Sequence, residues 1–365
     1  MKQSHNVPLM RIARRDSIAF SQSLLIRIVG LVLALAVSAI VIYAIVQLNP
    51  LNVYGAMFEG NFGSERRTWV TLRDMVMLLC VGIALAPAFK MRFWNIGGEG
   101  QILIGGIATA AVMIYLAPGM PTWLLLLISF GLSCVAGALW GLIPATFKAY
   151  FGTNETLFTL MMNYVAIQLT SFFVATWENP FGSNTVGIIN QQTKAGWFPS
   201  LFGQQYMLNI VIVVVLAVGM YIYLRYTKQG YEIAVVGESE RTASYIGINV
   251  KKVIMRTMML SGAIAGLAGF IAVAGSSHTI STSTAGGIGF TAIIVAWLAK
   301  FNTFTMVLIA MLLVFMEKGA IQIASQYNLN DFASQMITGI ILFFILGSEF
   351  FINYRLILRG GKEAI

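Results

Sequence analysis

Between Arg256 and Lys300 the chain reads Thr257-Met-Met-Leu-Ser-Gly-Ala-Ile-Ala-Gly-Leu-Ala-Gly-Phe-Ile-Ala-Val-Ala-Gly-Ser-Ser-His-Thr-Ile-Ser-Thr-Ser-Thr-Ala-Gly-Gly-Ile-Gly-Phe-Thr-Ala-Ile-Ile-Val-Ala-Trp-Leu-Ala299, without one Asp, Glu, Lys or Arg. One bilayer crossing takes about 20 apolar residues, so this stretch is long enough to cross twice. The segment between Glu99 and Lys148 is equally free of charge and also long enough for two crossings, and the segment between Arg27 and Glu59 is long enough for one. Over all 365 residues, 58% are apolar and 10% charged, where a soluble domain carries about 25% charged residues. The mean hydropathy is +0.80. A water-soluble globular protein is excluded. A membrane β-barrel would need about ten-residue segments alternating apolar and polar, whereas these runs are continuously apolar. The fold class is an all-α polytopic membrane protein.

Apolar runs and their punctuation give ten spans, at about 28 to 48, 70 to 89, 100 to 116, 122 to 143, 156 to 176, 207 to 225, 253 to 274, 288 to 300, 303 to 317 and 332 to 351. The eighth and ninth are short and could form a re-entrant pair, which leaves eight or nine spans open. Pro118 and Pro121 mark a turn, and a polar segment from Trp177 to Gln205 separates the fifth and sixth spans. The division is a cytoplasmic N-terminal segment 1–27, one transmembrane domain 28–351 with an inside loop 226–252, and a cytoplasmic tail 352–365.

The net charge of +9 and pI near 9.6 would suggest nucleic acid in a soluble protein. In a membrane protein the placement of the charges decides. With the N-terminus inside, 18 of the 23 Lys and Arg fall on the inner side, leaving Arg66, Arg67, Arg73, Lys194 and Lys318 outside. This is the positive-inside bias, with both termini cytoplasmic. The basic N-terminus precedes an apolar run too long for a signal peptide, so that run reads as the first span. Cys80 and Cys134 lie in apolar runs without the spacing of a metal or disulfide framework and read as packing residues.

Two pairs of segments echo each other. Gly97-Gly98-Glu99-Gly100 opens the third span and Gly286-Gly287-Ile288-Gly289 the eighth; Asn154-Glu155 opens the fifth and Asn330-Asp331 the tenth. The members of each pair start on opposite faces, the expectation for two inverted five-helix halves, although 35 glycines also make chance pairs frequent. Gly262 with Gly266, Ala265 with Gly269, and Gly137 with Gly141 form small-x-x-x-small pairs that let helix backbones approach closely. In the basic inside loop, Gly237 ends an apolar, strand-like stretch, Glu238 to Glu240 suit a helix start, and Gly247 suits a helix stop. A short amphipathic helix on the inner face is implied, with a solvated connector as the plainer alternative.

Taken together, Gly230-Tyr-Glu-Ile-Ala-Val-Val-Gly-Glu-Ser, Ala243, Gly247-Ile-Asn, Ser261-Gly-Ala-Ile-Ala-Gly-Leu-Ala-Gly and Phe93-Trp-Asn-Ile-Gly-Gly-Glu-Gly-Gln101 resemble permease subunits of bacterial ABC importers. The group is the branched-chain amino acid, ribose and simple-sugar permeases, and the last motif resembles its nucleoside and simple-sugar branch. The likeness runs from about Met75 to Phe351 and includes Asn154-Glu-Thr-Leu, Met162-Asn-Tyr and Gly286-Gly-Ile-Gly-Phe290. Trp94 and Lys300 depart from the family pattern at positions that bear on the substrate branch. The resemblance implies nucleoside uptake, or that of a simple sugar such as ribose or galactose, across the bacterial plasma membrane. It implies ATPase subunits on the cytoplasmic face, a second permease (related or a second copy), and an extracellular substrate-binding lipoprotein. Glu238, Ser239, Arg241, Thr242, Ala243 and Tyr245, bounded by Gly237 and Gly247, would form the coupling helix seated in an ATPase groove.

The absence of a G-x-x-x-x-G-K-[ST] loop agrees that ATP hydrolysis lies on a partner. No H-E-x-x-H motif or nucleophile-histidine pattern occurs, so neither an enzyme nor a cofactor or metal is expected. Polar residues in apolar spans are costly and face a pathway or a partner. Asn95, Glu99, Gln101, Thr159 and Asn163 are therefore path candidates, with His278 and Phe290. For Glu99 the structural reading is stronger: a carboxylate at a helix start, held by the free backbone N–H groups there. His278 either lines the outer mouth or is a turn residue. The rival class is an ion-coupled secondary transporter, for which Glu99 is the chief candidate charge and Glu349 sits near a span end.

Overall fold

A computed structural model describes residues 10–15 and 20–358. Lipid offers the backbone no hydrogen-bond partners, so apolar runs of this length must satisfy their own N–H and C=O groups as helices. Each of the ten sequence-derived spans does so. Among the described residues seven helices are long and apolar enough to cross a membrane: α3 (Glu65–Lys90), α4 (Gly98–Tyr115), α5 (Thr122–Phe151), α6 (Glu155–Thr176), α7 (Met207–Tyr226), α10 (Val250–Ala272, continued by a π turn to Ser277) and α12 (Thr303–Gln326). Shorter apolar segments lie in α1 (Phe20–Val41, with its π turn), α11 (Ile288–Leu298) and α13 (Asp331–Asn353). The ninth span is not short: the helix carries on through Glu317 and Lys318 to Gln326. Hydropathy stops at charges that the helix accommodates, with Glu317 exposed and Lys318 half-buried.

Further elements fall outside the ten-span reading. α2 (Pro50–Phe62) starts with proline in its first turn and an Asn49 cap. The stretch read as strand-like before Gly237 is helical, α8 (Lys228–Glu238), because Thr227 accepts a hydrogen bond from Gly230 N and starts a helix there. A capped start and packing override the β-branched composition. A short ribbon accompanies the helices: β1 (Met10–Arg14) pairs antiparallel with β2 (Tyr354–Leu358), from Met10 opposite Leu358 to Arg14 opposite Tyr354.

The chain divides into two compact units, one of residues 1–67 with 315–365 and one of residues 68–314. In the first, α1 packs along α13, and a Cβ on Gly30 would lie 2.7 Å from the Ser348 Cβ. In the second, α4, α5 and α10 make the core. On α5 and α10 the close approaches pair Ser133 with Gly266, Gly137 with Gly262, and Gly141 with Met258. The positions step by four in opposite directions, as an antiparallel pair meshing its four-residue ridges requires. On the other side of α10, Gly266 meets Gly105 and Gly269 meets the Ile102 carbonyl of α4. A side chain at any of these glycines would enter a neighbouring backbone. With no hydrophobic drive between helices in lipid, such backbone proximity supplies the packing.

Candidate functional site

The third span begins with a return of the chain. α3 ends at Lys90, and residues 91–97 run back irregularly to the start of α4, turning at Arg92 with φ of 60°. Non-helical backbone inside an apolar layer needs partners, and side chains provide them. Asn163 Oδ1 accepts from Gly100 N (2.8 Å) while its Nδ2 donates to the Ile96 carbonyl (2.9 Å). Thr159 Oγ1 accepts from Ile96 N (3.1 Å). Asn95 Oδ1 accepts from Gly97 N (3.0 Å), and its Nδ2 donates to Ser261 Oγ on α10 (3.2 Å) and, at 3.4 Å, to Gln101 Oε1. Asn95, Gln101, Thr159 and Asn163, named separately from sequence as path candidates, are thus buried together in one network that braces a broken helix. Ser261, quoted only within a packing motif, is a further member.

Glu99 reaches elsewhere. Its own helix start was the expected partner, but the carboxylate lies on the start of α11: Oε1 accepts from Gly287 N (2.6 Å) and Oε2 from Gly289 N (2.8 Å). α11 has no side-chain cap of its own, since Gly287 occupies the cap position with φ of 80°. Glu99 supplies that cap across 188 residues of sequence. Charge-assisted bonds of this kind are short and about twice as strong as neutral ones. The fit requires glycine at 289, where a Cβ would stand 2.5 Å from Glu99 N and 2.6 Å from Oε2. The two Gly-Gly segments, which sequence put at the starts of spans entered from opposite faces, therefore meet. Phe290, next along α11, is exposed, and so is Trp297 further along; Trp297 stacks on Trp94 at 5.2 Å between ring centroids.

His278 is held differently. It follows the π turn after α10 with φ of 54°, and its ring stacks flat on Trp197 at 3.7 Å and 3°. Its backbone N donates to the Val273 carbonyl and its own carbonyl accepts from Ile189 N. It thereby ties the polar segment 177–205 to the end of α10. Both ring nitrogens are buried without a partner among the described residues, and that burial holds the imidazole below the ordinary histidine value. Trp197 gave no sequence signal for this contact.

The loop 226–252 forms a corner between helices. Gly237 of α8 lies against the Lys90 carbonyl at the end of α3, with no room for a Cβ. Arg256 of α10 pairs with Glu232 of α8 at 2.9 Å. Ser239 is extended and its Oγ accepts from Thr242 N (3.2 Å), starting the six-residue helix α9 (Glu240–Tyr245). Glu238 ends the preceding helix and Ser239 is the cap, so of the residues assigned to the short helix only Arg241, Thr242, Ala243 and Tyr245 lie in it. Ala243 is fully buried, whereas Arg241, Thr242 and Tyr245 are exposed. Gly247 (φ 85°) lets Ile248 N return to the Ala243 carbonyl, and Asn249 caps α10 through Lys252 N. The result is a knob with one apolar foot and a bare polar and aromatic crown. Among the described residues no group of three or more His, Cys, Asp or Glu could hold a metal ion.

Residues 69–346 match the family described as the permease component of the branched-chain amino acid transport system. The chain belongs to that family. As such a permease it is an integral membrane component of a transporter and is not itself catalytic. It is 30% identical over 328 residues to the guanosine ABC transporter permease protein of Bacillus subtilis, covering 89% of this chain and 93% of that one. A nucleoside ABC transporter permease of Lactococcus lactis is 27% identical, with 89% and 91% covered. A glucose ABC transporter permease of Haloferax volcanii is 28% identical, with 91% and 90% covered.

Proposed function

We propose that this permease takes up nucleosides as the membrane subunit of an ABC importer, with ATP hydrolysed on separate subunits. The substrate reading is carried by the end-to-end similarity to two permeases whose names specify guanosine and nucleosides. The glucose-named relative keeps a simple sugar as the second reading. Two ATPase subunits dock inside, a second permease completes the channel, and a binding protein delivers substrate outside.

The α9 knob supports an ATPase contact on this face, because its exposed crown stands on a frame that cannot yield locally. A push on α9 passes through the Ser239 cap to α8. From there it reaches α3 through Gly237 and Lys90, and α10 through Arg256 and Glu232. Both routes end at the α3–α4 return, where Glu99 holds α11. Alternating access is then a change in whether α11 is held, biased by the ATPase state.

We also infer an even number of crossings. The pairing of β1 with β2 supports placing both strands on one side of the membrane, which favours ten or eight spans over nine. The positive-inside bias makes that side cytoplasmic, and the Glu99 contact is what two inverted halves meeting inside the apolar layer would produce.

The test is uptake of labelled guanosine, glucose and ribose by the assembled importer in vesicles. Guanosine should enter only with ATP inside, and charge reversal at Arg241 with Glu238 should lower its uptake without lowering the amount of permease. Uptake that ignores both ATP and the reversal, and collapses with a proton uncoupler, overturns the ABC reading.

A further inference from the structure

A cavity of about 290 Å³ opens between the first turns of α3, the end of α10 and the segment leading into α11. Its polar wall is a run of hydroxyls, including Ser276, Thr279 and Thr284, with Arg73 and Asp74 opposite; Ile288 contributes to the apolar remainder. We propose that this cavity binds the polyhydroxyl ring of the transported molecule, the ribose of a nucleoside or a free hexose. The proposal rests on the transport reading above and adds where the permease itself senses its cargo.

Four features select that ligand. Arg73 and Asp74 neutralise each other at 2.7 Å, so the cavity favours a neutral guest over an anion or cation. Hydroxyl groups both donate and accept, as a row of ligand hydroxyls does. Two are ready for the exchange. The Thr279 hydroxyl makes no hydrogen bond among the described residues, and the Ser276 hydroxyl accepts from Asn209 Nδ2 (3.1 Å), which leaves its proton to donate. The volume sits at the low end for small-molecule sites, enough for one ring and its substituents. No aromatic side chain lines the cavity, so it offers the base of a nucleoside no stacking surface and suits the sugar end.

The position joins the cavity to the helix latch. Thr284 Oγ1 accepts from Ser281 N (2.8 Å), fixing the turn that leads to Gly287, whose N–H is held by Glu99. Ile288 is at once a wall of the cavity and the first residue of α11. A ring seated there presses on the segment that Glu99 holds.

The test uses the assembled importer with Cys80→Ala, Cys134→Ala and Thr279→Cys, labelled by a small cationic methanethiosulfonate. Guanosine or ribose at about nine-tenths occupancy should slow labelling about tenfold, while free guanine should not. Protection by glucose but not by guanosine or ribose supports the cavity as a polyol site and sinks the nucleoside reading. If none of the three sugars and nucleosides protects, or if guanine protects equally, the proposal is wrong, whereas ATP-driven guanosine uptake remains the separate measure of function. As a second readout, Thr279→Val removes one hydroxyl at constant shape. It should cut the preference of saturated uptake for guanosine over its 2′,3′-dideoxy analogue by about three- to tenfold. An unchanged preference with normal permease abundance also overturns it.

Discussion

Two helices of this permease begin with paired glycines, and they are held in opposite ways. The start of α4 is bound by its surroundings: Asn95, Gln101, Thr159 and Asn163 surround it with hydrogen bonds, most of them to the backbone of residues 96–100. The start of α11 has fewer partners from other elements: beside local bonds such as Ile288 N to the Ala285 carbonyl and Thr291 Oγ1 to the Gly287 carbonyl, two N–H groups rest on one distant carboxylate. A helix start held by several redundant bonds stays in place when one is lost. One held by a single side chain has two discrete conditions, capped and uncapped. The comparison predicts that α4 stays fixed and that α11 is the element that changes.

The largest effect should follow from Glu99→Ala. Loss of two charge-assisted bonds costs about 2–4 kcal/mol at the α11 start, and uptake should fall to background while folded permease remains in the membrane. Glu99→Gln keeps one acceptor and should recover part of the uptake. If Glu99→Ala transports normally, the latch does not exist. Next is Gly289→Ala, whose methyl would meet Glu99 at 2.5 Å; overpacking of this kind costs about 1–3 kcal/mol. Uptake should drop with abundance retained, and normal uptake would show that the contact has slack. Asn163→Ala tests the other side of the comparison. It leaves Gly100 N and the Ile96 carbonyl unpaired, at about 1–3 kcal/mol. The loss should appear in the amount of folded protein on gel filtration, with uptake per molecule preserved. A fall in uptake per molecule as large as that of Glu99→Ala would erase the distinction between brace and latch.

How far the sequence could foretell this depends on the range of the interactions. The ten apolar runs became helices because lipid leaves the backbone no alternative, and the Asn154 and Asn330 caps are local signals that the structure repeats. Asn95, Gln101, Thr159 and Asn163 could be singled out because polar groups are expensive in apolar spans, but the rule does not give their partners: Asn95, Thr159 and Asn163 bond backbone groups of residues 96–100, and Gln101 bonds the Asn95 side chain. Glu99 was recognisable as a cap, yet not for which helix, since nothing local encodes a partner 188 residues away. The one available hint was negative: Gly286-Gly287 can offer α11 no side-chain cap. The terminal ribbon was missed for the same reason, a pairing between residues more than 300 apart. The error at α8 had a different origin, an apolar β-branched run whose fate was decided by Thr227 in front of it.

The smallest expected effect concerns the far end of α10, where a third arrangement joins a loop to a helix by a ring stack beside two backbone hydrogen bonds. His278 lies flat on Trp197 with both nitrogens buried and unpartnered, so a proton on the ring would have no acceptor among the described residues. Burial lowers its pKa in the folded permease below the ordinary value it regains on unfolding. The unfolded chain therefore binds the proton first, and folding loses stability as pH falls through the ordinary imidazole range. Above that range the neutral ring is common to both states and contributes no pH dependence. Thermal unfolding of the purified permease followed at tryptophan should thus shift to lower temperature from neutral to mildly acidic pH. His278→Phe, which keeps a flat ring against Trp197, should remove this residue's share of that shift. An identical acid shift in the variant would mean that the stack opens to water before the ring titrates, and that the loop is tied to α10 by the Ile189 and Phe198 backbone bonds alone.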